Sequence, residues 1–498
     1  MRIRFVARGC TVFAALAAVA LLFALPRAAA AKPPRPNVVF VMTDDQDWHS
    51  MWAMRKTRQL IGGRGTTFDH SFISFSLCCP SRATLLTGQY AHNHSVKWNN
   101  WPLGGFRKLR GAQTLPVWLE RAGYFTAHIG KYLNEYGEDD PTVVPPGWTD
   151  WYGAVDPTTY DYYGFTINHN GRLKMYPRTP RFYSTDVYTE LAEDVIRAGH
   201  RSGKPFFLSL APNAPHTVAR ANDARMEGTP AIPPPRYANR FASAHLPRYP
   251  NFNEEDVSDK PPLIQQVFPS LTDDDVDALT AHYRGRMGSL LGVDDMVADV
   301  VRTLKRTGEY DNTVIVYTSD NGWILGEHRL RDPVTEDGRA AGVKYLPYEG
   351  STRVPLMIAG PGIPHRTVHG VTINPDWAAT IADLTGARPA LPGDGRSLLP
   401  VTRHPNALDD RAVLFETFPN PRAPAYKGVR TARYLYTVQD DGEGEQLYDY
   451  AVDPWELSSK QADPAYTRVK VALIGALNRL EDCKGRSCEV KVRVPRPG

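Results

Sequence analysis

Short apolar runs alternate with helical patterns along the first 400 residues. The run NVVFVMT at 37–43 is almost continuously apolar, as in a central parallel strand that is covered on both faces. Further strand candidates lie at 206–211, 313–319 and 355–359, with helical patterns between them. This alternation predicts a doubly wound α/β domain.

The clearest helix is predicted at 278–306, directly before the strand at 313–319. Its apolar residues recur near the 3.6-residue period of an amphipathic helix, and Gly308 follows as a stop signal. The periodic positions are Tyr283, Met287, Leu290, Leu291, Met296, Val297, Val300, Val301 and Leu304.

The pattern changes after residue 400 to short alternating runs such as AVLFETF and EQLYDY, followed by an amphipathic stretch at 469–480. This predicts a smaller antiparallel sheet closed by a terminal helix. We therefore divide the chain into a main domain at 36–400 and a C-terminal subdomain at 401–498. An aromatic segment at 148–176 and a Pro-rich segment at 230–262 are interpreted as inserted, mostly as surface loops.

The first 31 residues have the pattern of a signal peptide. Arg2, Arg4 and Arg8 precede an apolar run at 10–25, and the alanines at 28–31 suit signal peptidase. An uncleaved anchor is the alternative, but a clean apolar stretch of ~15 residues is shorter than the ~20 that a spanning helix needs. We therefore expect a secreted protein without a stable membrane anchor.

The charge of the chain bears on its partners. The sequence has 58 Lys and Arg against 54 Asp and Glu. Cleavage at residue 31 removes four arginines and no acid, so the formal charge becomes zero. Proteins that bind nucleic acids normally carry a basic excess or stripe, and we therefore expect no nucleic-acid partner.

Four of the five cysteines lie beyond the predicted signal peptide. Cys483 and Cys488 bracket a tight four-residue segment, and in an oxidising compartment they suit a local disulfide better than two free thiols. Adjacent Cys78 and Cys79 could be buried thiols, metal ligands or a vicinal disulfide.

The segment CCPSRATLLTG at 78–88 has the features of a short helix with a reactive start. Pro80 suits a first helical turn and Gly88 the position after the last one, so Cys78 should lie at the helix start, where free N–H groups favour an anion. Arg82 lies four residues on and can point at the same anion. These features predict a cysteine in an electropositive site.

C-x-P-S-R followed by L-L-T-G resembles the signature of the type I, formylglycine-dependent sulfatases. The resemblance implies an α/β, alkaline-phosphatase-like sandwich, with a large mixed, mostly parallel sheet and a smaller C-terminal antiparallel sheet. It implies that 36–400 is a catalytic domain in which a formylglycine-generating enzyme oxidises Cys78, not Cys79. One hydroxyl of the hydrated aldehyde would attack sulfur, and the other would then drive loss of sulfate.

Two polar pairs, Asp44-Asp45 and Asp320-Asn321, each directly follow an apolar strand, where open α/β sheets place ligand sites. Each pair by itself could be a turn or a helix cap. Together with the cysteine motif they match the calcium site of the family, which implies Ca²⁺ held by these four residues and by the modified Cys78.

Three further residues match family elements: Lys131 in a G-K pair, His216 in a P-H pair, and Lys344 five residues before a glutamate. The resemblance implies that they contact the sulfate oxygens and donate a proton to the leaving alcohol. With Cys78 and Arg82 they complete the expected catalytic set.

One position departs from the family pattern. Many members have a histidine two places after the first lysine, whereas this chain has Leu133 there, followed by Asn134. Asn134 is therefore a candidate substrate-binding residue that either takes over the role of the histidine or leaves that role unfilled. The run GKYLNEYG, the run LLGVDDMV and the terminal C-x4-C resemble the N-acetylglucosamine-6-sulfatase branch, which implies a 6-O-sulfated N-acetylglucosamine substrate.

Other functions are compatible with the same fold. An arylsulfatase of broad specificity would take aryl sulfates rather than sulfated sugars, and a phosphodiesterase or phosphonate monoester hydrolase could use the same metal and nucleophile. A catalytically silent glycan-binding protein is disfavoured, because every expected active-site residue except the histidine is present.

Overall fold

The computed structural model describes Met1 and residues 35–218, 228–331, 342–419, 425–440 and 442–498. The predicted signal peptide at 1–31, apart from Met1, lies outside the described residues. In the described ranges no helix is both long enough and apolar enough for a membrane span.

A ten-stranded mixed sheet is the centre of the unit Pro36–Gly498. The strands of the chain are β1 (Asn37–Thr43), β2 (Thr66–Phe68), β3 (Ser71–Phe72), β4 (Phe125–Gly130), β5 (Asp150–Ala154), β6 (Thr166–His169), β7 (Arg172–Met175), β8 (Phe206–Ala211), β9 (Thr313–Ser319), β10 (Leu356–Ala359), β11 (Arg366–Val368), β12 (Thr372–Ile373), β13 (Arg411–Glu416), β14 (Tyr426–Arg430), β15 (Tyr434–Gln439), β16 (Gln446–Asp449) and β17 (Val490–Lys491). The order in the large sheet is β11-β2-β10-β9-β1-β8-β4-β5-β6-β7.

The middle of this sheet is parallel, as the apolar runs predict. Strands β9, β1, β8, β4 and β5 pair in parallel, and β10, β6 and β7 join antiparallel. All seven residues of β1 are buried, with Val39 and Val41 in one apolar core and Val38 and Phe40 in another. A strand covered on both faces therefore explains the continuous apolar run.

The helices are α1 (Arg55–Thr57), α2 (Cys78–Thr87), α3 (Ala91–His94), α4 (Leu115–Arg121), α5 (Ser184–Ser202), α6 (Pro262–Val267), α7 (Asp273–Thr307), α8 (Glu349–Thr352), α9 (Pro375–Thr385), α10 (Leu399–Arg403) and α11 (Thr467–Leu480). The helix predicted at 278–306 is α7, which begins five residues earlier. Thr272 and Asp275 form a capping box at its start, and Gly308 ends it with a φ of 77°. The apolar periodicity does not extend to this first turn of the helix, because the turn is acidic rather than apolar.

The predicted C-terminal sheet is present, with five strands in the order β16-β15-β14-β13-β17 and antiparallel pairing throughout. Helix α11 packs on it through Leu473 and Leu480. A disulfide joins Cys483 and Cys488 just after this helix. Both sheets belong to the unit Pro36–Gly498, and the domain boundary at residue 400 stays a prediction.

The interpretation of 148–176 as mostly surface loop is wrong. This segment supplies β5, β6 and β7 at one edge of the large sheet, and Trp151 and Tyr162 are buried. Its hairpin signal is confirmed, since Asn170 and Gly171 turn between β6 and β7 with positive φ angles. The Pro-rich segment 230–262 is mainly loop with one 3-10 turn.

Candidate active site

The polar residues predicted as ligands meet at the carboxyl edge of the parallel strands. Asp44 and Asp45 follow β1, and Asp320 and Asn321 follow its parallel neighbour β9. Lys131 follows β4, and none of the five is more than 1% exposed. Because parallel strands end at one edge, their adjacent positions in the sheet bring distant parts of the chain together.

Cys78 is the first residue of α2 and is fully buried. Its Sγ lies 2.9 Å from Lys344 Nζ and 3.6 Å from Asp44 Oδ1. Burial raises the pKa of the Cys78 thiol to about 12, although Lys131 and Lys344 act in the opposite direction. The unmodified side chain is therefore uncharged at neutral pH.

Cys79 is buried as well but lies against other partners. Its Sγ accepts the backbone N–H of Asn134 at 3.1 Å, and its own N–H donates to Asn99 Oδ1 at 2.9 Å. Neighbouring positions in one helix thus point to different surroundings, and among the described residues only Cys78 joins the charged cluster. The two cysteines are free thiols, not a vicinal disulfide.

Two lysines, each paired with an aspartate, supply positive charge to the site. Lys131 Nζ donates to Asp44 Oδ2 at 2.7 Å, and Lys344 Nζ donates to Asp45 Oδ1. Burial alone would lower the pKa of Lys131, but the Asp44 carboxylate outweighs it and the pKa lies well above its usual value. Both ammonium groups remain charged, which suits the binding of an anion.

Arg82 is held from two sides. Its Nε donates to Asp320 Oδ2 at 2.8 Å and one terminal N–H donates to the backbone oxygen of Lys131 at 2.7 Å. The other terminal nitrogen has no hydrogen-bond partner in the described part of the chain. The guanidinium is thus anchored on Asp320, and its remaining terminal nitrogen faces the Asp44 carboxylate at 3.9 Å.

The same residues fit a hard divalent cation. One ligand atom each from Asp44, Asp45, Cys78 and His216 lies within 4.8 Å of the others. Asp45 Oδ2 and Asn321 Oδ1 are buried without a hydrogen-bond partner among the described residues. Uncompensated buried oxygens are costly, and a calcium ion with oxygen ligands would satisfy them.

The predicted calcium ligand Asp320 and the predicted catalytic residue His216 both have protein partners in this structure. Both carboxylate oxygens of Asp320 accept hydrogen bonds, one from the Asp45 N–H at 3.0 Å and one from Arg82. His216 instead turns Nε2 toward Asp45 Oδ2 at 3.4 Å, while its Nδ1 contacts the Thr217 carbonyl at 2.7 Å. A carbonyl oxygen can only accept a hydrogen bond, so Nδ1 of His216 carries a proton. A favourable contact between Nε2 and the Asp45 carboxylate then needs a proton or a cation between the two atoms.

Asn134 does not face the cluster directly. Its amide donates to the Tyr160 hydroxyl at 2.7 Å, and the Tyr160 ring lies 4.3 Å from the His216 ring and 4.5 Å from Lys131 Nζ. The sequence patterns left Tyr160 out of the catalytic set. Its only signal was its place in an aromatic insertion, which packing explains equally well.

Comparison with known proteins agrees with this site. The family model described as "Sulfatase" matches residues 36–387, and a second model, "N-sulphoglucosamine sulphohydrolase, C-terminal", matches residues 343–483. These matches cover the strand-edge cluster and four of the five strands of the C-terminal sheet, β13 to β16.

Two relatives of similar identity are named for different substrates. The human protein "N-acetylglucosamine-6-sulfatase" is 34% identical over 92% of this chain and 87% of its own length. An "Arylsulfatase" of Volvox carteri is 33% identical over 92% of this chain and 76% of its own length. A protein solved in complex with its substrate D-glucosamine-2-N,6-O-disulfate superposes with a TM-score of 0.72 at 23% identity, over 89% of this chain and 97% of that one. The fold is thus alkaline-phosphatase-like, and the chain belongs to the sulfatase family as a sulfuric ester hydrolase.

Proposed function

We propose that this protein hydrolyses sulfate esters with a formylglycine made from Cys78 and with bound calcium, and that it acts on the 6-O-sulfate of N-acetylglucosamine in glycans. The observation that carries the proposal is the different surroundings of Cys78 and Cys79. Cys78 Sγ lies beside Lys344 and Asp44, whereas Cys79 Sγ lies against Asn134. Only the first position gives a nucleophile access to a sulfate held by lysines.

Each neighbouring group has a distinct task in this reaction. The hydrated aldehyde of formylglycine supplies one hydroxyl that attacks sulfur and a second that releases sulfate. Lys131 and Lys344 neutralise the charge that develops on the sulfate oxygens. His216 protonates the alcohol oxygen as the ester bond breaks. The Tyr160 ring contacts both His216 and Lys131 and so links these two residues.

Calcium fits the same cluster. Asp44, Asp45, Asp320 and Asn321 would hold it together with the residue at position 78, and it would add positive charge beside the sulfate. Arg82 keeps Asp320 in place next to these ligands through its 2.8 Å bond.

The sugar substrate is supported by the run GKYLNEYG and by the N-acetylglucosamine-6-sulfatase name of the human relative. A broader arylsulfatase activity is the second candidate, because the Volvox carteri relative has almost the same identity. We further propose export after cleavage near residue 31 and maturation by a formylglycine-generating enzyme. The disulfide between Cys483 and Cys488 suits such an oxidising route.

Mass spectrometry of the peptide that contains both cysteines tests the nucleophile. Conversion to formylglycine lowers the mass by ~18 Da, and fragmentation should place the change at position 78. A change at position 79 would overturn the assignment. Turnover of 6-sulfated N-acetylglucosamine, compared with 2-O- and 3-O-sulfated sugars and with 4-nitrophenyl sulfate, separates the two substrate candidates.

A further inference from the structure

The fully buried side chain of Arg286, on helix α7, contacts two loops of the proposed active site. One terminal nitrogen donates to the Asp45 carbonyl oxygen at 2.5 Å and also lies 3.4 Å from Asp47 Oδ2. The other terminal nitrogen lies 3.5 Å from the carbonyl oxygen of Pro215, the residue before His216. One guanidinium thus joins the loop of a proposed calcium ligand to the loop of the proposed proton donor.

The backbone of Asp45 has a conformation that depends on such support. Its φ of 68° lies in the left-handed region, which a residue with a side chain adopts at a cost and keeps only where its surroundings hold it. The Asp45 N–H donates to Asp320 Oδ1 at 3.0 Å, and its carbonyl oxygen accepts from Arg286. These two bonds fix both peptide groups that flank the Asp45 side chain, and with them the direction of its carboxylate.

The loop of His216 is held through its carbonyl groups. The Pro215 oxygen lies against Arg286, and the His216 oxygen accepts the Tyr162 hydroxyl at 2.7 Å. His216 Nε2 then lies 3.4 Å from Asp45 Oδ2. The separation of these two functional atoms is therefore set by two loops that meet on one guanidinium.

The guanidinium of Arg286 is itself only partly compensated. Asp47 is its one carboxylate partner among the described residues, and Nε has no hydrogen-bond partner there. A buried charge with incomplete partners is costly, and proteins keep such groups mainly where a functional geometry requires them. A lysine would supply the charge but not the planar fork that reaches two carbonyl groups.

We propose that Arg286 is a positioning residue that holds Asp45 and His216 in one geometry, so that the two side chains act on the same bound sulfate ester. Arg286 acts through the two loops and not on the substrate. This inference rests on the proposed function and adds to it a residue that lies outside the sequence motifs of the site.

Arg284 provides a matched control on the same helix, because it donates to the Ala244 carbonyl in the Pro-rich segment. Arg286→Lys should lower kcat for 4-nitrophenyl sulfate and the affinity for calcium by about tenfold or more each, as is typical when an outer partner of a metal ligand is lost. Arg284→Lys should leave both unchanged. Calorimetry on the metal-free protein measures calcium affinity independently of turnover.

Double-mutant cycles separate positioning from general damage to the fold. Because Arg286 acts through its two neighbours, Arg286→Lys should cost little further kcat in the His216→Gln background and little further calcium affinity in the Asp45→Asn background. Additive losses in both backgrounds, or wild-type values in Arg286→Lys, would overturn the inference.

Two further outcomes are distinguishable from these. Failure of both Arg286→Lys and Arg286→Gln to fold, seen by circular dichroism, would assign Arg286 to the fold and would also overturn the inference. A mature wild-type protein that binds calcium but cleaves no sulfate ester would instead contradict the proposed function.

Discussion

The sheet edge that we propose binds sulfate and the aromatic cleft beside Trp323, which Asp47, Tyr249 and Glu327 also line, are built in opposite ways. At the edge, Asp44, Asp320 and Lys131 each follow a buried parallel strand directly, and each is fixed by a charged partner. The cleft instead collects Asp47, Tyr249 and Glu327 from separate loops, which meet through stacked rings and through hydrogen bonds between loop backbones, such as that from the His328 N–H to the Asn251 carbonyl at 2.7 Å. Buried strands thus fix the residues of the sheet edge, whereas contacts between loops fix those of the cleft.

The largest effect should come from the two adjacent cysteines. Cys78→Ala should lower kcat/KM at least about a thousandfold for every sulfate ester, because the nucleophile is lost, while thermal unfolding changes little. Cys79→Ala should keep most of the activity, since Cys79 only packs against Asn99 and Asn134. Activity assays with both substrate types measure this, and the reverse ranking would show that the nucleophile is misassigned.

The proposed calcium ligands should give the next largest effect. Asp45→Asn keeps the shape of the side chain but removes the charge of a carboxylate whose Oδ2 has no hydrogen-bond partner among the described residues, so calcium affinity should fall by more than about tenfold. Metal analysis and activity across a calcium titration measure the loss, with exposed Asp256→Asn as the control. Undiminished calcium content in Asp45→Asn would contradict the site.

The conservative change to asparagine matters for this experiment, because an amide oxygen can still accept the hydrogen bond that Lys344 donates to Asp45. Asp320→Ala would also leave Arg82 buried without its 2.8 Å partner, and an uncompensated buried charge costs about 3–5 kcal/mol of stability. A loss of calcium in Asp320→Ala would then not distinguish a missing ligand from a damaged fold.

The sequence predicts the sheet edge far better than the cleft, for a physical reason. Strands β1, β8 and β9 are covered on both faces, so their apolar runs mark their bounds, and the residues that follow must lie at one edge. Strands β5–β7 lie at the margin of the sheet and were interpreted as loops, because their aromatic and polar residues follow no such run.

Side-chain contacts between loops have no comparable local signal. Tyr160 and Trp323 were left out of the predicted site because nothing near them in sequence shows that they pack on Lys131 or Lys344. Asn134 was selected for its place in a motif, and its hydrogen bond to Tyr160 could not be foreseen from that motif. Family motifs therefore identify residues, while the fold determines their partners.

A moderate effect is expected at Asn134, which is linked to Lys131 and His216 through Tyr160. Asn134→Ala should slow the turnover of sugar sulfates and aryl sulfates alike, by about tenfold. The substitution removes the hydrogen bond to the Tyr160 hydroxyl and so loosens the packing of the Tyr160 ring on Lys131 and His216. Tyr160→Phe, which removes only the hydroxyl, should reproduce this pattern in kcat/KM. A loss confined to sugar sulfates would assign Asn134 to sugar binding instead.

The smallest effect concerns the stability of the cleft loop, which continues from Glu327 into a buried histidine. His328 Nδ1 lies 2.5 Å from Glu254 Oε2, and Nε2 lies 3.7 Å from Glu456 Oε2. Burial lowers the pKa of His328, but the two glutamates outweigh it and the pKa is raised above the usual 6.5. The folded protein therefore binds this proton more tightly than the unfolded chain does.

The sign of the pH dependence follows from that shift. The stabilisation by charged His328 is complete below the unfolded-state pKa and is lost as the pH rises through the higher folded-state pKa. His328→Gln should thus lower stability by about 2 kcal/mol near pH 5.5 and by clearly less near pH 9. Thermal unfolding from pH 5 to 9 measures the difference, and His200→Gln, at an exposed histidine beside Glu309, should change stability only slightly. A difference between wild type and His328→Gln that grows toward high pH would show that the histidine is buried uncharged and that packing, not its ion pairs, holds the loop beneath the cleft.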